Sequence, residues 1–244
     1  MLQVATLDAA GTPSPRTVRQ PRDLASKECF STAAIHSSEQ AVKILVAEYG
    51  GPLLRLDGDG REIGRDRNSI PCDAACFSHD SLEVYAASGR VLRALRADDA
   101  GLAESYRVEL PVECEGRVET IAPCGTRSVV CGGSFGLLRV TWTDGGKSST
   151  KQSMSRDWAR HASTDSLGRV LLATFDDGSM RVLSVEGRPD GGSVTIRESG
   201  RLSLPATSEA QLAHMAALLP DGRMAIACKP DRGVCLIPVA MPAR

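Results

Sequence analysis

A strand–turn–strand unit recurs along this chain, and that recurrence limits the fold more than any other feature of its 244 residues. The clearest copy is HASTDSLGRVLLATFDDGSMRVLSVEG, His161 to Gly187. It predicts a first strand, a turn at Asp165 to Arg169, a second strand over Val170 to Phe175, a tight turn at Asp176-Asp177-Gly178 and a third strand over Met180 to Val185. Asp-Gly between two β-prone runs is a hairpin signal, because glycine accepts the positive φ that such a turn requires.

Four looser copies surround it. Their second and third strands are predicted over Val42–Tyr49 and Leu53–Leu56, Leu82–Ala87 and Val91–Leu95, Ser128–Cys131 and Leu137–Trp142, and Met224–Cys228 and Val234–Val239. Central residues Val46, Val84, Val130, Leu172 and Ile226 lie 38, 46, 42 and 54 residues apart. Four-stranded propeller blades need roughly 40–45 residues each. A fourth, outer strand is readable at Ser105–Leu110 and at Ser193–Ser199. The sequence predicts an all-β fold: one β-propeller over 1–244, of about five four-stranded blades near 31–71, 72–115, 116–156, 157–205 and 209–244. The last unit has only three strands, and Leu2–Leu7 is the strand available to complete it and remove an exposed sheet edge. Thr207–Ala217 is read as a linker and an inner strand, and Thr143–Asp157 and Gly11–Lys27 as surface loops suited to partner contact or phosphorylation. Glycine pairs at 50–51, 132–133, 145–146 and 191–192 fall in predicted turns.

Composition narrows the partners. Basic and acidic residues number 29 and 30, a net charge of −1, so nothing global draws the chain to nucleic acid or an anionic membrane. Aromatics at 4% leave little to stack on bases. Asp8 interrupts the stretch where a secretory signal would be apolar, and no run approaches the roughly 18 apolar residues of a membrane span. The eight cysteines are spread without a dense disulfide framework, so a cytoplasmic or nuclear address with reduced thiols is expected.

The segment LLATFDDGSMRVLSV (171–185) resembles the second-strand, Asp-Gly turn, third-strand segment of the WD40 family. CGGSFGLLRVTWTD places Trp142 near the third-strand end where that family often has Trp-Asp, and LLPDGRMAIA (218–227) is similar to its first turn. The resemblance extends over about 31–240 and is one of pattern: no Gly-His and no Trp-Asp dipeptide occurs. NHL-type and lactonase-like propellers share the same strand-turn grammar and stay open. The resemblance implies a protein-binding scaffold, a subunit of an intracellular assembly whose partners are other proteins.

No catalytic, cofactor-binding or metal-binding residue is assigned from the sequence. His36, His161 and His214 each precede a second strand at a similar distance and could converge on a channel to bind a metal, the alternative being that they serve inner-strand hydrogen bonding. His79 is the fourth histidine. Cys72 and Cys76 form a C-x3-C pair without the second pair a zinc site needs, so buried or loop thiols are expected. A competing hydrolase or lactonase reading requires oxygen ligands around a channel metal, for which Glu48, Asn68, Asp80 and Asp165 qualify by type alone. GGKSST (145–150) lacks the upstream glycine of a phosphate loop; GGSFG (132–136) fits G-x-S-x-G by letter but lies in a predicted strand-to-strand turn, so no nucleophile elbow is present, and H-E-x-x-H does not occur.

Overall fold

Runs such as Val170–Phe175 are apolar at every position but Thr174, and an exposed two-sided strand could not carry that pattern. In the computed structural model such runs are central strands of sheets packed on both faces. The structure describes residues 2–7, 13–19, 30–37, 42–98, 100–111, 113–125, 127–143, 148–177, 179–187, 194–202, 216–218, 222–228 and 234–239.

Within these residues all regular elements are strands. Four sheets have four antiparallel strands each, paired in chain order. Blade 1 is β3 (Phe30–Ser37), β4 (Val42–Glu48), β5 (Leu54–Asp57) and β6 (Glu62–Arg65). Blade 2 is β7 (Ala74–Phe77), β8 (Glu83–Ser88), β9 (Val91–Asp98) and β10 (Gly101–Glu109). Blade 3 is β11 (Thr120–Pro123), β12 (Ser128–Gly133), β13 (Gly136–Thr143) and β14 (Ser148–Ser155). Blade 4 is β15 (Ala159–Thr164), β16 (Val170–Phe175), β17 (Met180–Gly187) and β18 (Val194–Leu202). A fifth unit has three strands, β19 (Ala216–Leu218), β20 (Met224–Cys228) and β21 (Val234–Pro238). We letter the strands of each unit a to d in chain order.

The a strands lie side by side: β3 against β7, β7 against β11, β11 against β15, β15 against β19. They are tied by hydroxyls rather than by a backbone ladder. Thr32 Oγ1 accepts the Ala75 N–H (3.1 Å), Thr120 Oγ1 the Ala162 N–H (2.9 Å) and Ser163 Oγ the Leu218 N–H (2.8 Å). The β7 strand, Ala-Ala-Cys-Phe, has no hydroxyl to offer blade 3. There Tyr85 and Trp142 stack across the joint, centroids 5.4 Å apart and planes 8° from parallel.

Alternate residues of each b strand supply different cores. In β16, Leu171, Ala173 and Phe175 pack toward blade 3, while Val170 and Leu172 pack toward the fifth unit. In β8, Val84 and Ala86 face blade 1, and Tyr85 and Ala87 face blade 3. Blades 1 and 2 are further joined by an ion pair with both side chains fully buried, Arg93 Nη1 to Asp66 Oδ2 at 2.6 Å.

Several expectations are corrected. Four blades, not about five, are four-stranded among the described residues. Leu2–Leu7 forms β1 and pairs with β2 (Pro13–Arg19), Leu7 opposite Pro13, instead of completing the last unit. Part of the stretch read as a loop over Gly11–Lys27 is therefore strand. The same holds for Thr143–Asp157, where β14 pairs with β13 as an outer strand. An outermost strand needs a ladder on one side only, so Ser, Thr, Lys and Gln suffice, with Met154 packed inward. Gly132 and Gly133 lie inside β12, not in a turn. A Cβ on Gly132 would come within 2.8 Å of the Ala159 Cβ, so close packing of blades explains that glycine.

Candidate functional site

Antiparallel order places every a–b turn at one end of its blade and every b–c turn at the other. The a–b turns share one construction. In blade 2 the Ser78 N–H donates to Glu83 O (2.9 Å), and in blade 4 the Asp165 N–H donates to Val170 O (3.0 Å). Three residues on, Ser81 and Gly168 have positive φ, 56° and 65°, and Gly222 with φ 71° holds the corresponding place in the fifth unit. The residue after each gives its carbonyl to an N–H near the end of the c strand. Leu82 O accepts from Ala97 (3.5 Å), Arg169 O from Val185 (2.8 Å) and Arg223 O from Val239 (2.8 Å). Blade 3 has a shorter turn, yet Arg127 O plays the same part for Trp142 N–H (2.9 Å). Three successive units thus present arginine, and blade 2 leucine, just ahead of the b strand. All four side chains are exposed.

These turns meet. A Cβ on Gly168 would lie 2.6 Å from His79 Nε2 and 2.7 Å from the Gly125 N, and one on Gly222 would lie 3.1 Å from the Asp165 Cβ. Only glycine lets the blade 2, 3 and 4 turns close on one another there. Lys43 Nζ donates to Ser81 Oγ (3.2 Å), tying blade 1 to the same end.

The carboxylates here serve the backbone. Asp80 Oδ1 accepts from Ser78 Oγ (2.6 Å) and Leu82 N–H (3.0 Å), and these bonds hold the acid below its ordinary range against an opposing effect of burial. Asp165 Oδ1 accepts from Arg169 N–H (2.7 Å) and Val170 N–H (3.2 Å). Of the other oxygen donors, Glu48 ends β4, and its carbonyl takes the Gly51 N–H (2.8 Å). Asn68 donates its backbone N–H to Asp66 Oδ1 (3.1 Å) and its Nδ2 to Glu104 (3.4 Å), beside the buried ion pair. Among the described residues no group of three or more His, Cys, Asp or Glu is placed to hold a metal.

His36, on β3, packs against Phe77 (5.8 Å between centroids), His161 lies on β15 opposite Thr174, and His214 falls outside the described residues. His79, given no role by the sequence, is the histidine at the meeting of turns, its Nε2 buried without a hydrogen-bond partner among the described residues. Burial lowers the pKa of His36, His79 and His161, with Lys43 adding to the effect at His36 and nearby Asp80 and Asp165 opposing it at His79. The unfolded chain therefore binds protons near pH 6.5 that the folded one refuses, so stability falls as pH drops from 7 to 5. Thermal midpoints at the two pH values should show this, with a smaller drop for His79→Gln; an unchanged drop would remove His79 from the account. Asp80, with its lowered pKa, affects stability only below that window.

Cys72, Cys76, Cys114, Cys124 and Cys131 are free and buried. Burial raises the Cys72 thiol to about 12 and the Cys76 and Cys131 thiols further, so none is a thiolate nucleophile at neutral pH.

At the opposite end two arginines are paired with acids. Arg160 meets Asp176 (2.6 Å) and Glu119 (3.1 Å) with its guanidinium 3.5 Å above the Trp158 ring, and Arg181 meets Asp157 (2.7 Å). Sequence reasoning missed the turn arginines, although a signal exists: TRSVV, GRVLL and GRMAI each set arginine at the threshold of an apolar run.

Blades radiating from adjacent a strands define the fold as a β-propeller. The chain is similar to the Cps50 (Swd1) β-propeller domain of Myceliophteria thermophila, at TM-score 0.64 and 13% identity over 86% of this chain and 69% of that one. It is also similar to a chain in a crystal structure of the mitotic checkpoint complex, at TM-score 0.57 and 13% identity over 85% of this chain. That match spans 63% of the other chain, less than two thirds of its length. No family's sequence pattern and no curated protein sequence matches this chain. Among the described residues no helix is long and apolar enough to cross a membrane.

Proposed function

We propose that this chain is a non-catalytic protein-interaction platform, a subunit of an intracellular assembly. The observation that carries the reading is the division of labour at the a–b end. Asp80 and Asp165, the groups best suited by type to chemistry, are spent on holding turns, while Leu82 and Leu167 stand 67% and 58% exposed beside them. Large apolar side chains held in solvent on rigid turns suit a docking surface. Fold likeness to a chain of a multiprotein complex agrees with this, and fold alone licenses no more. In this reading β19–β21 are the fifth blade, and the buried free thiols suit the reducing cytoplasm or nucleus.

Affinity purification under gentle conditions, with the metal content of the product measured, tests the reading. The expected result is stoichiometric co-purification of one or more proteins. Recovery of the chain alone with stoichiometric calcium or zinc would replace the platform with the metal-dependent hydrolase.

A further inference from the structure

We propose that the a–b end of blades 2 to 4 and the fifth unit is the docking face, and that it takes an acidic, leucine-bearing segment of a partner protein. This rests on the platform reading and adds the face and the chemistry of its occupant.

The turns fix where arginine side chains leave the backbone. Arg127, Arg169 and Arg223 occupy one structural position in three successive units, with their carbonyls fixed by Trp142, Val185 and Val239. A bonded carbonyl fixes the Cα from which each exposed side chain leaves, so the arginines form an ordered arc. Among the described residues no carboxylate pairs with Arg127 or Arg169; Arg127 has only the Tyr106 ring, at 5.9 Å. The nearby acids are engaged: Asp165 is buried and Asp80 is bonded within its own turn. Further out, Asp57 accepts the N–H groups of Asp59 and Arg61, and Asp98 accepts that of Ala100 and pairs with Arg67. The arginine side chains face out, whereas Asp165 is buried and Asp80, Asp57 and Asp98 are held by backbone N–H groups.

Two further features select a protein over a nucleic acid. Leu82 and Leu167 lie among these turns and would rest on apolar side chains, whereas bases require aromatic platforms. The one exposed large aromatic side chain among the described residues, Tyr49, sits at the b–c turn of blade 1, on the other end. Arginine forks also match carboxylates in bidentate geometry.

The test uses the intact protein and a fluorescent peptide of repeated Glu-Glu-Leu, with Lys-Lys-Leu and single-stranded polyuridine as comparators. Anisotropy should rise with the acidic peptide alone. Its affinity should fall when salt is raised from about 50 to about 300 mM, and by about tenfold or more in R127E/R169E/R223E. Because the backbone carbonyls that hold the turns are unchanged by these substitutions, circular dichroism of the variant should match the wild type. A second variant, Leu82→Ser with Leu167→Ser, should weaken binding several-fold while leaving its salt dependence. The proposal is overturned if the acidic peptide does not bind, if the arginine variant binds it unchanged, or if polyuridine binds more tightly. Partners that still co-purify with the arginine variant would overturn this face while leaving the platform standing.

Discussion

Replacing Asp66 with alanine is expected to destabilise the protein by about 3–5 kcal/mol, read as a lower urea midpoint at unchanged slope. The Asp66 and Arg93 side chains are both 0% exposed, and Nη1 to Oδ2 is 2.6 Å. Without Asp66 the guanidinium stays in a dry joint, with Glu104 at 3.8 Å as its nearest remaining acid. Its Nε and Nη2 already lack hydrogen-bond partners among the described residues, so the joint has little means of compensating. That remote carboxylate places the expected loss toward the lower part of the range. Arg93→Met should cost a similar amount, because Asp66 then keeps the Asn68 N–H but no counter-charge. The double variant Asp66→Leu/Arg93→Met removes both desolvated charges and should recover most of the loss. If the double variant is as unstable as the sum of the singles, the two charges act independently and the pair is not what joins blades 1 and 2.

This ion pair also marks where sequence reasoning stops. Second and third strands were legible because a blade is covered on both faces: Val170–Phe175 and Ser128–Gly133 are buried along their whole length, and a run apolar but for Thr174 or Ser128 signals that condition. Outer strands were legible only where they alternate, as over Val194–Leu202, and not where Ser148–Ser155 reads like a loop. The pairing of Leu2–Leu7 escaped for a different reason: strand count says that an edge is open, but not which strand covers it. Asp66 and Arg93 stand 27 residues apart, with no local pattern linking them. The arginine arc lies between these cases. Its members are visible in the sequence, yet nothing marks them as equivalent until the turns are superposed by their hydrogen bonds.

The joint between blades 2 and 3 offers the second large effect. Neighbouring a strands elsewhere share a bond from a backbone N–H to a hydroxyl, worth about 1 kcal/mol each. Thr120→Ala, at the joint of blades 3 and 4, should cost about that much, since it leaves the Ala162 N–H without its acceptor. Blade 2 has no such hydroxyl on β7, and its joint relies on Trp142, 3% exposed and stacked on Tyr85. Trp142→Ala removes that packing and opens a cavity among Val129, Cys131 and Val140, so about 3–5 kcal/mol is expected, with the stacking itself adding about 0.5–1.5. Trp142→Phe separates packing from polarity: it keeps a ring against Tyr85 and removes the Nε1 donor, which is buried without a partner among the described residues. Its loss should therefore be well below that of alanine, because relief of an unsatisfied donor offsets part of the lost volume. Urea unfolding of the three variants ranks the two kinds of joint. Should Thr120→Ala prove the more damaging than Trp142→Ala, hydrogen bonds between inner strands hold neighbouring blades together, and aromatic packing only fills the gap where one is missing.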